Sequence, residues 1–217
     1  MQVKICGVRA RADLAAAARC GASYAGLVFF PPSPRNISID DAKWMLDKAD
    51  IDGLTLVALT VDAEDSELEA IVASLPVGLL QLHGRESPER VAEIRRRFHL
   101  PVMKAVGVAD EGDLAAIDDY EAVADQILVD ARPPKDAQLP GGNGLTFDWR
   151  LIAGRSWSRP WMLAGGLGPD NVAEAVRLTG AEQVDVSSGV ERAPGIKDAD
   201  RIEAFIAAAR AASAAAA

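Results

Sequence analysis

Short apolar runs recur along the whole chain and alternate with longer stretches in which apolar residues follow a helical period. The runs are rich in branched side chains, which is typical of strands that are buried on both faces. They predict eight strands, at residues 2–6, 24–30, 54–61, 77–83, 102–108, 126–130, 161–164 and 183–187. Eight strands separated by helices predict a parallel sheet that closes into a single (β/α)₈ TIM barrel of the α/β class.

Capping residues mark where several intervening helices begin and end. The expected N-caps are Ser38, Asp62, Ser87 and Asp110. Gly21 and Gly180 are expected to end helices in the left-handed conformation. We expect one barrel domain over residues 1–210, followed by an alanine-rich tail at 211–217 that either extends the last helix or frays.

Composition and charge narrow the classes of function. The chain has 217 residues, of which 49% are apolar and 25% charged, as is usual for a globular domain. Its formal net charge of −9 disfavours a nucleic-acid backbone or an anionic membrane as a partner. We see neither a secretory leader nor a membrane-spanning run, and therefore expect a cytoplasmic protein. We expect a monomer and leave a dimer open.

Cysteine and histidine usage bears on metal and redox chemistry. Cys6 and Cys20 do not form a disulfide framework or a metal pair, so both are expected to be free thiols in a reducing compartment. The chain has two histidines, His83 and His99, so a multi-histidine metal site is not expected.

Catalytic groups of such a barrel lie at the carboxyl ends of its strands. The candidates there are Cys6, Arg35, His83, Asp130 and Asp185. Asp130 follows the apolar run QILV, where an idle carboxylate would be costly to desolvate, so a functional role is favoured. Cys6 is also compatible with an apolar filler, and Arg35 with either a solvated surface residue or a carboxylate clamp. His83 and Asp185 are each compatible with a structural polar residue or a site residue.

Two glycine-containing turns near the end of the chain predict a phosphate site. Gly165 and Gly166 follow the seventh strand, and Ser187, Ser188 and Gly189 follow the eighth. Loops after strands seven and eight commonly bind a substrate phosphate through backbone N–H groups and a helix dipole. The sequence therefore predicts a small phosphorylated molecule as the ligand.

Nine motifs occur in a fixed order over nearly the whole chain. They are KICG (4–7), GLVFFPPSPR (26–35), QLHG (81–84), KAVGV (104–108), ILVDA (127–131), GGNGLTFDW (141–149), LAGGL (163–167), VDVSSGVE (184–191) and PGIKD (194–198). In this combination they resemble phosphoribosylanthranilate isomerase of tryptophan biosynthesis. The chain has Asn143 and Leu145 where that family commonly has threonine or serine and then a basic residue.

The resemblance implies an isomerase that needs no cofactor and no metal. It implies an Amadori rearrangement of N-(5-phosphoribosyl)anthranilate to 1-(o-carboxyphenylamino)-1-deoxyribulose 5-phosphate. Matching positions would make Cys6 the general base, Asp130 the general acid and Arg35 the clamp for the anthranilate carboxylate. The residues implied to hold the phosphate or to contact the substrate elsewhere are Gly142, Gly165, Gly166, Ser187, Ser188 and Gly189, together with His83 and Asp185.

Two alternatives remain open from the residues alone. One is another sugar-phosphate isomerase or epimerase on the same barrel, and the other is a barrel kept as a phosphate-binding scaffold. The first would need metal-binding side chains at several strand ends, or phosphate turns in both halves, and residues 1–108 contain no second turn of that kind. The presence of Cys6 and Asp130 disfavours the scaffold.

Overall fold

Eight parallel strands close into one barrel. The computed structural model describes residues 1–132, 141–142 and 144–216, and β8 pairs with β1 to complete the ring. The strands are β1 Gln2–Cys6, β2 Tyr24–Phe29, β3 Thr55–Thr60, β4 Leu79–Leu82, β5 Val102–Val108, β6 Gln126–Ala131, β7 Trp161–Leu163 and β8 Gln183–Val186. The predicted fold is confirmed. Predicted strand ends differ by one or two residues, because an apolar pattern does not show where pairing stops.

Helices cover the outside of the barrel. In the described ranges they are α1 Arg11–Arg19, α2 Ile39–Leu46, α3 Asp65–Ser74, α4 Pro88–Phe98, α5 Leu114–Glu121, α6 Val172–Thr179 and α7 Ala199–Ala216. Between β6 and β7 the described residues contain a short 3₁₀ turn, Trp149–Leu151, in place of a longer helix. None of these helices combines the length and the apolar character that crossing a bilayer requires.

A small antiparallel hairpin that the apolar pattern did not predict follows β8. Its strands are β9 Glu191–Ala193 and β10 Ile196–Lys197. Gly195 turns the chain between them with φ of 76°, and a Cβ there would overlap the carbonyl oxygen of Pro34. The hairpin therefore packs directly against the loop after β2.

Side chains alternate between the inside of the barrel and the layer beneath the helices, as the period of a strand requires. The central interior is filled by an apolar cluster, made of Val57, Leu79, Met103, Leu128, Met162 and Ala164. Nearer the carboxyl ends, Cys6, Val28 and Leu59 form a second buried cluster. One wall of the barrel mouth is therefore apolar.

Most of the predicted helix ends are confirmed. Three predicted N-caps accept a backbone hydrogen bond at the start of a helix or 3₁₀ turn, namely Ser38, Ser87 and Asp110. Gly21 and Gly180 have φ of 78° and 70°, as expected of helix ends. The prediction for Asp62 is wrong. Helix α3 begins three residues later, and Asp62 Oδ1 accepts a hydrogen bond from Arg85 N–H at 2.6 Å.

Helix α7 is hydrogen-bonded to the C-terminal end of helix α1. Arg210 donates hydrogen bonds to the carbonyl oxygens of Cys20 and Gly21, at 3.3 and 2.7 Å, where α1 ends. Helix α7 continues through Ala216, and Ala212 within the expected tail is buried. The division of the chain between residues 210 and 211 stays a prediction.

A buried ion pair ties together the loops after β3 and β4. Lys104 Nζ lies 2.8 Å from Glu86 Oε2, and both side chains are at most 3% exposed. Nζ also donates to the carbonyl oxygens of Leu82 and Gly84, while the carboxylate accepts from Asp62 N–H and Gly84 N–H. Burial alone would raise the pKa of Glu86, but Lys104 and these hydrogen bonds hold it below its ordinary value.

Replacing Lys104 with methionine is expected to lower the free energy of unfolding by about 3–5 kcal/mol at pH 7, because an unpaired Glu86 carboxylate would stay buried. The depressed pKa means that the pair stabilises the protein above the unfolded-state pKa of about 4.3 and that this contribution is lost as the pH falls. The difference from wild type should therefore shrink toward pH ~4. Urea denaturation at both pH values measures it.

The matched control is Arg95→Met, which breaks a half-exposed pair with Asp125. Solvent screens that pair, so its loss should change stability much less. Equal destabilisation by Lys104→Met and Arg95→Met would contradict the role given to the buried pair.

Candidate active site

The carboxyl ends of the strands surround a cavity in two parts. One part, of about 470 Å³, is lined by all five predicted strand-end residues, Cys6, Arg35, His83, Asp130 and Asp185. The other part, of about 410 Å³, lies against the turns after β7 and β8. Asp130, Gly142, Asp185 and Ser187 line both parts, so the two form one continuous site.

The second part of the cavity is formed largely by backbone. Five predicted phosphate residues line it, namely Gly142, Gly165, Gly166, Ser187 and Ser188. A Cβ on Gly165, whose φ is 85°, would lie 2.7 Å from Ala131 N, so only glycine allows this close approach. Gly189 lies in the adjoining groove with Gly166 and Ser188. A Cβ on Gly189 would overlap the carbonyl oxygen of Leu167, so the two turns pack backbone against backbone.

Cys6 lies beside a buried ion pair. Lys4 Nζ is 2.9 Å from Asp185 Oδ1, and the Lys4 side chain is fully buried. A Cβ on Gly26 would lie 3.1 Å from Cys6 Sγ and 3.2 Å from Lys4 Nζ. The thiol and the ammonium therefore share the space that the missing side chain leaves open, and the charge acts on the sulfur at short range.

These neighbours have opposing effects on the pKa values. Burial raises the pKa of the Cys6 thiol above its ordinary value, and the Lys4 ammonium offsets part of that rise. Burial alone would lower the pKa of Lys4, but Asp185 and Cys6 raise it overall. Lys4 therefore stays charged, and only a minor fraction of the thiol is ionised at neutral pH.

Asp130 is fixed at the end of β6 by two neighbours. Its Oδ1 accepts a hydrogen bond from Ala131 N–H at 2.8 Å, and its Oδ2 lies 3.4 Å from His83 Nε2. On the far side of the imidazole, His83 Nδ1 lies 2.9 Å from Gln81 Nε2. The imidazole of His83 therefore lies between Gln81 and Asp130.

Arg35 is held by protein groups on one edge of its guanidinium. Nε and Nη2 donate to the two carboxylate oxygens of Glu191 at 2.8 and 2.9 Å. Lys197 Nζ lies 2.8 Å from the same carboxylate. A Cβ on Gly142 would lie 2.6 Å from Nη1, so the opposite edge of the guanidinium faces the cavity beside that glycine. The edge available to a ligand is thus the one formed by Nη1 and Nη2.

The sequence matches one family over almost its whole length. A family model described as N-(5'phosphoribosyl)anthranilate (PRA) isomerase matches residues 3–208. An N-(5'-phosphoribosyl)anthranilate isomerase of Cereibacter sphaeroides is 65% identical over 210 residues, covering 97% of this chain and 99% of the relative. That of Paracoccus denitrificans is 58% identical over 207 residues, covering 95% and 96%. The chain belongs to the phosphoribosylanthranilate isomerase family.

Solved structures of phosphoribosylanthranilate isomerases share the fold. The enzyme of Thermotoga maritima superposes with a TM-score of 0.87 at 36% identity, covering 97% of this chain and 99% of that one. Another, with a TM-score of 0.83 at 34% identity and the same coverage, is in complex with reduced 1-(o-carboxyphenylamino)-1-deoxyribulose 5-phosphate. The resemblance inferred from the nine motifs is therefore confirmed at the level of family and fold.

The chain departs from the family pattern in β3, where the buried Thr60 stands in place of an aromatic residue, and in the loop after β6. Leu145 is 42% exposed and lines the phosphate part of the cavity. The Leu145 side chain brings no charge to that part of the cavity. Asn143 lies outside the described residues.

Three charged residues of the site do not stand out as functional candidates in the sequence. Lys4 can be interpreted there as an interior charge partner or as a chance position, and the structure confirms the first interpretation. A signal for Lys4 was available, since a charge flanked by Val3 and Ile5 in a buried strand needs a partner. Glu191 and Lys197 lie within recognised motifs but gave no such signal, because their burial depends on the hairpin.

Replacing Lys4 with methionine is expected to raise the pKa of the Cys6 thiol, because the nearby positive charge would be lost. The pH dependence of iodoacetamide alkylation, measured in a Cys20→Ser background, reports that pKa directly. The acid limb of kcat/KM should move to higher pH by the same amount.

Lys43→Met, on the exposed face of α2, is the matched control and should leave the alkylation profile unchanged. If the unpaired Asp185 prevents folding, the double variant Lys4→Met/Asp185→Asn is compared with Asp185→Asn, because Asp185 itself raises the Cys6 pKa and must be absent from both proteins. An alkylation profile that does not move in either Lys4 variant would remove Lys4 from any role in Cys6 ionisation.

Proposed function

We propose that this chain isomerises N-(5'-phosphoribosyl)anthranilate in tryptophan biosynthesis, with Asp130 as general acid and Cys6 as general base. The observation that carries the proposal is that the thiol, the carboxyl group and the glycine-rich turns all line one cavity. The relative that holds a reduced 1-(o-carboxyphenylamino)-1-deoxyribulose 5-phosphate supports the same class of ligand. The turns after β7 and β8 would bind the phosphate, and Arg35 would bind the anthranilate carboxylate.

The first step opens the ribose ring. The Asp130 carboxyl group gives its proton to the ring oxygen, and the bond between that oxygen and C1 breaks. The nitrogen lone pair moves into a double bond with C1, which leaves an iminium ion and a free hydroxyl. The bonds that Asp130 makes to Ala131 N–H and His83 fix the direction in which this proton is offered. General acid catalysis of this kind contributes about 10²- to 10⁴-fold in rate.

The second step moves a proton from carbon to sulfur. The Cys6 thiolate removes the proton from C2, and the electrons of that bond form a double bond between C1 and C2. The electrons of the iminium bond return to nitrogen, giving an enolamine that tautomerises to the ketone. The thiolate takes the proton directly from C2, without a bridging water, and this suits its apolar surroundings beside Val28 and Leu59. Asp185, next to the thiol and lining both parts of the cavity, would bind a sugar hydroxyl.

The cysteines and the composition of the site bear on the cellular compartment and on the oligomeric state. Both cysteines are free, which supports a reducing compartment and hence the cytoplasm. We propose a monomer as the catalytic unit, since one chain supplies the thiol, the carboxyl group and both glycine-containing turns.

The proposal is tested by following the fluorescence of N-(5'-phosphoribosyl)anthranilate formed in the cuvette from anthranilate and phosphoribosyl pyrophosphate. Purified protein should make the signal decay at a rate proportional to its concentration. Protein made in a host without its own isomerase, and an Asp130→Asn preparation purified in parallel, exclude a contaminating activity. A signal that persists with folded wild-type protein would end the proposal.

A further inference from the structure

Arg35, the proposed clamp for the substrate carboxylate, is surrounded by two further charged side chains that have no direct role in the proposed reaction. Arg35, Glu191 and Lys197 lie in one buried cluster, with side chains that are 7%, 4% and 0% exposed. Glu191 Oε1 accepts from both Arg35 Nε and Lys197 Nζ, each at 2.8 Å. One carboxylate therefore serves two cations, and with all three groups ionised the cluster has a net charge of one positive unit. Burial lowers the pKa of Lys197, and the adjacent Glu191 carboxylate offsets part of that shift.

Glu191 holds the guanidinium of Arg35 through the edge formed by Nε and Nη2. The contact is a two-point fork, which allows little rotation of the guanidinium. The stem of the arginine lies against the backbone of Gly7, where a Cβ would come within 2.7 Å of Arg35 Cδ. The guanidinium is thus held in one orientation by protein groups, and the described residues place no hydrogen-bonding side chain on the edge formed by Nη1 and Nη2.

A two-point contact with a carboxylate would normally neutralise the positive charge of the arginine. An Arg35–Glu191 pair alone is neutral, so at the range of a ligand its attraction for an anion would be weak. Lys197 changes this balance, because it neutralises the same carboxylate from the other side. It does not line the mouth cavity, and its ammonium donates to the Glu191 carboxylate and, at 3.0 Å, to the carbonyl oxygen of Ser187.

We propose that Lys197 is a specificity-determining residue that acts through Glu191, leaving the charge of Arg35 available to a carboxylate on the substrate's aromatic ring. The inference rests on the proposed function, because that function supplies the carboxylate. It assigns Glu191 to orienting the clamp and Lys197 to keeping the clamp charged. Affinity for the carboxylate, and not for the phosphate, should then depend on Lys197.

The test compares two ligands that differ in one group. The first is reduced 1-(o-carboxyphenylamino)-1-deoxyribulose 5-phosphate, and the second is the same compound without the ring carboxylate. Calorimetric titration of wild-type protein gives the ratio of their affinities, which measures carboxylate selectivity. In Lys197→Met this ratio should fall on the order of 10- to 100-fold, while the affinity for the second ligand changes little.

The double variant Glu191→Gln/Lys197→Met separates charge from packing. It removes one negative and one positive charge, so Arg35 again carries the net positive charge, and the side-chain carbonyl oxygen of the introduced glutamine can still accept from the guanidinium. Selectivity should return close to that of wild type. No merely structural role of Lys197 predicts this recovery.

Each outcome decides the matter. An unchanged ratio in Lys197→Met, or equal weakening of both ligands, would overturn the inference, since equal weakening means that Lys197 only supports the turn at Ser187. If Lys197→Met does not fold, the double variant decides alone, and loss of selectivity in it overturns the inference. Wild-type protein that binds neither ligand and shows no turnover would instead count against the proposed function.

Discussion

An Asp130→Asn protein is expected to fold normally and to lose about 10²- to 10⁴-fold in kcat. The asparagine amide has the shape of the carboxyl group, and its oxygen can still accept from Ala131 N–H, which lies 2.8 Å from Asp130 Oδ1. It has no acidic proton to give to the ring oxygen, so the ring should stay closed. Steady-state kinetics measure the loss, and thermal unfolding checks that the fold is intact.

Binding and chemistry should separate in this variant. Affinity for reduced 1-(o-carboxyphenylamino)-1-deoxyribulose 5-phosphate should be largely kept, because that ligand has no closed ring to open. Asp118→Asn is the control, since that carboxylate is 69% exposed on α5, away from the cavity-lining residues. Turnover of Asp130→Asn at the rate of the control would assign the acid to another group.

A Cys6→Ala protein is expected to lose kcat/KM by a comparable factor, about 10²- to 10⁴-fold, because no other thiol reaches C2 in the proposed arrangement. Removing one buried sulfur beside Val28 and Leu59 should cost about 1 kcal/mol of stability. The activity loss should therefore far exceed any loss of folded protein. The fluorescence assay and urea denaturation together measure both quantities.

Cys6→Ser distinguishes chemistry from packing at the same position. Serine keeps most of the volume but ionises far less readily than cysteine, so it should be nearly as inactive as alanine. Cys20→Ala, at the only other cysteine, should behave as wild type. Substantial turnover in Cys6→Ser and Cys6→Ala alike would reduce Cys6 to an apolar filler of the barrel mouth.

The cavity-lining residues at strand ends could be predicted because, in a parallel barrel, a position at the end of a strand fixes a place at one face of the barrel. Cys6, His83, Asp130 and Asp185 come at or near the ends of apolar runs, and parallel strands carry all such ends to one face. Arg35 is similar, since its loop returns to β2 through Ile37 N–H, which donates to Val28 O at 2.9 Å. Periodicity was sufficient for these residues because the backbone pairing of the strands, which it predicts, brings them to the same end of the barrel.

Interactions between loops could not be predicted in the same way. Glu191 pairs with Arg35 across 156 residues, and nothing in either local sequence specifies the other. Asp62 is the reverse case: its position suited a helix cap, but the neighbouring loop offered Arg85 N–H and Glu86, and the chain took φ of 50° at Asp62 to reach them. Competition between local and tertiary hydrogen bonds decides such positions.

Closure of the barrel by its first and last strands has a consequence for biosynthesis. Lys4 and Asp185 are 181 residues apart, so at about 5–20 residues per second the ribosome releases the two charges roughly 10 to 40 seconds apart. Throughout that interval Lys4 lacks its ion-pair partner Asp185, and Cys6 is a solvated thiol that oxidants can reach. The nascent chain therefore relies on cellular reductants to keep Cys6 reduced until folding buries it.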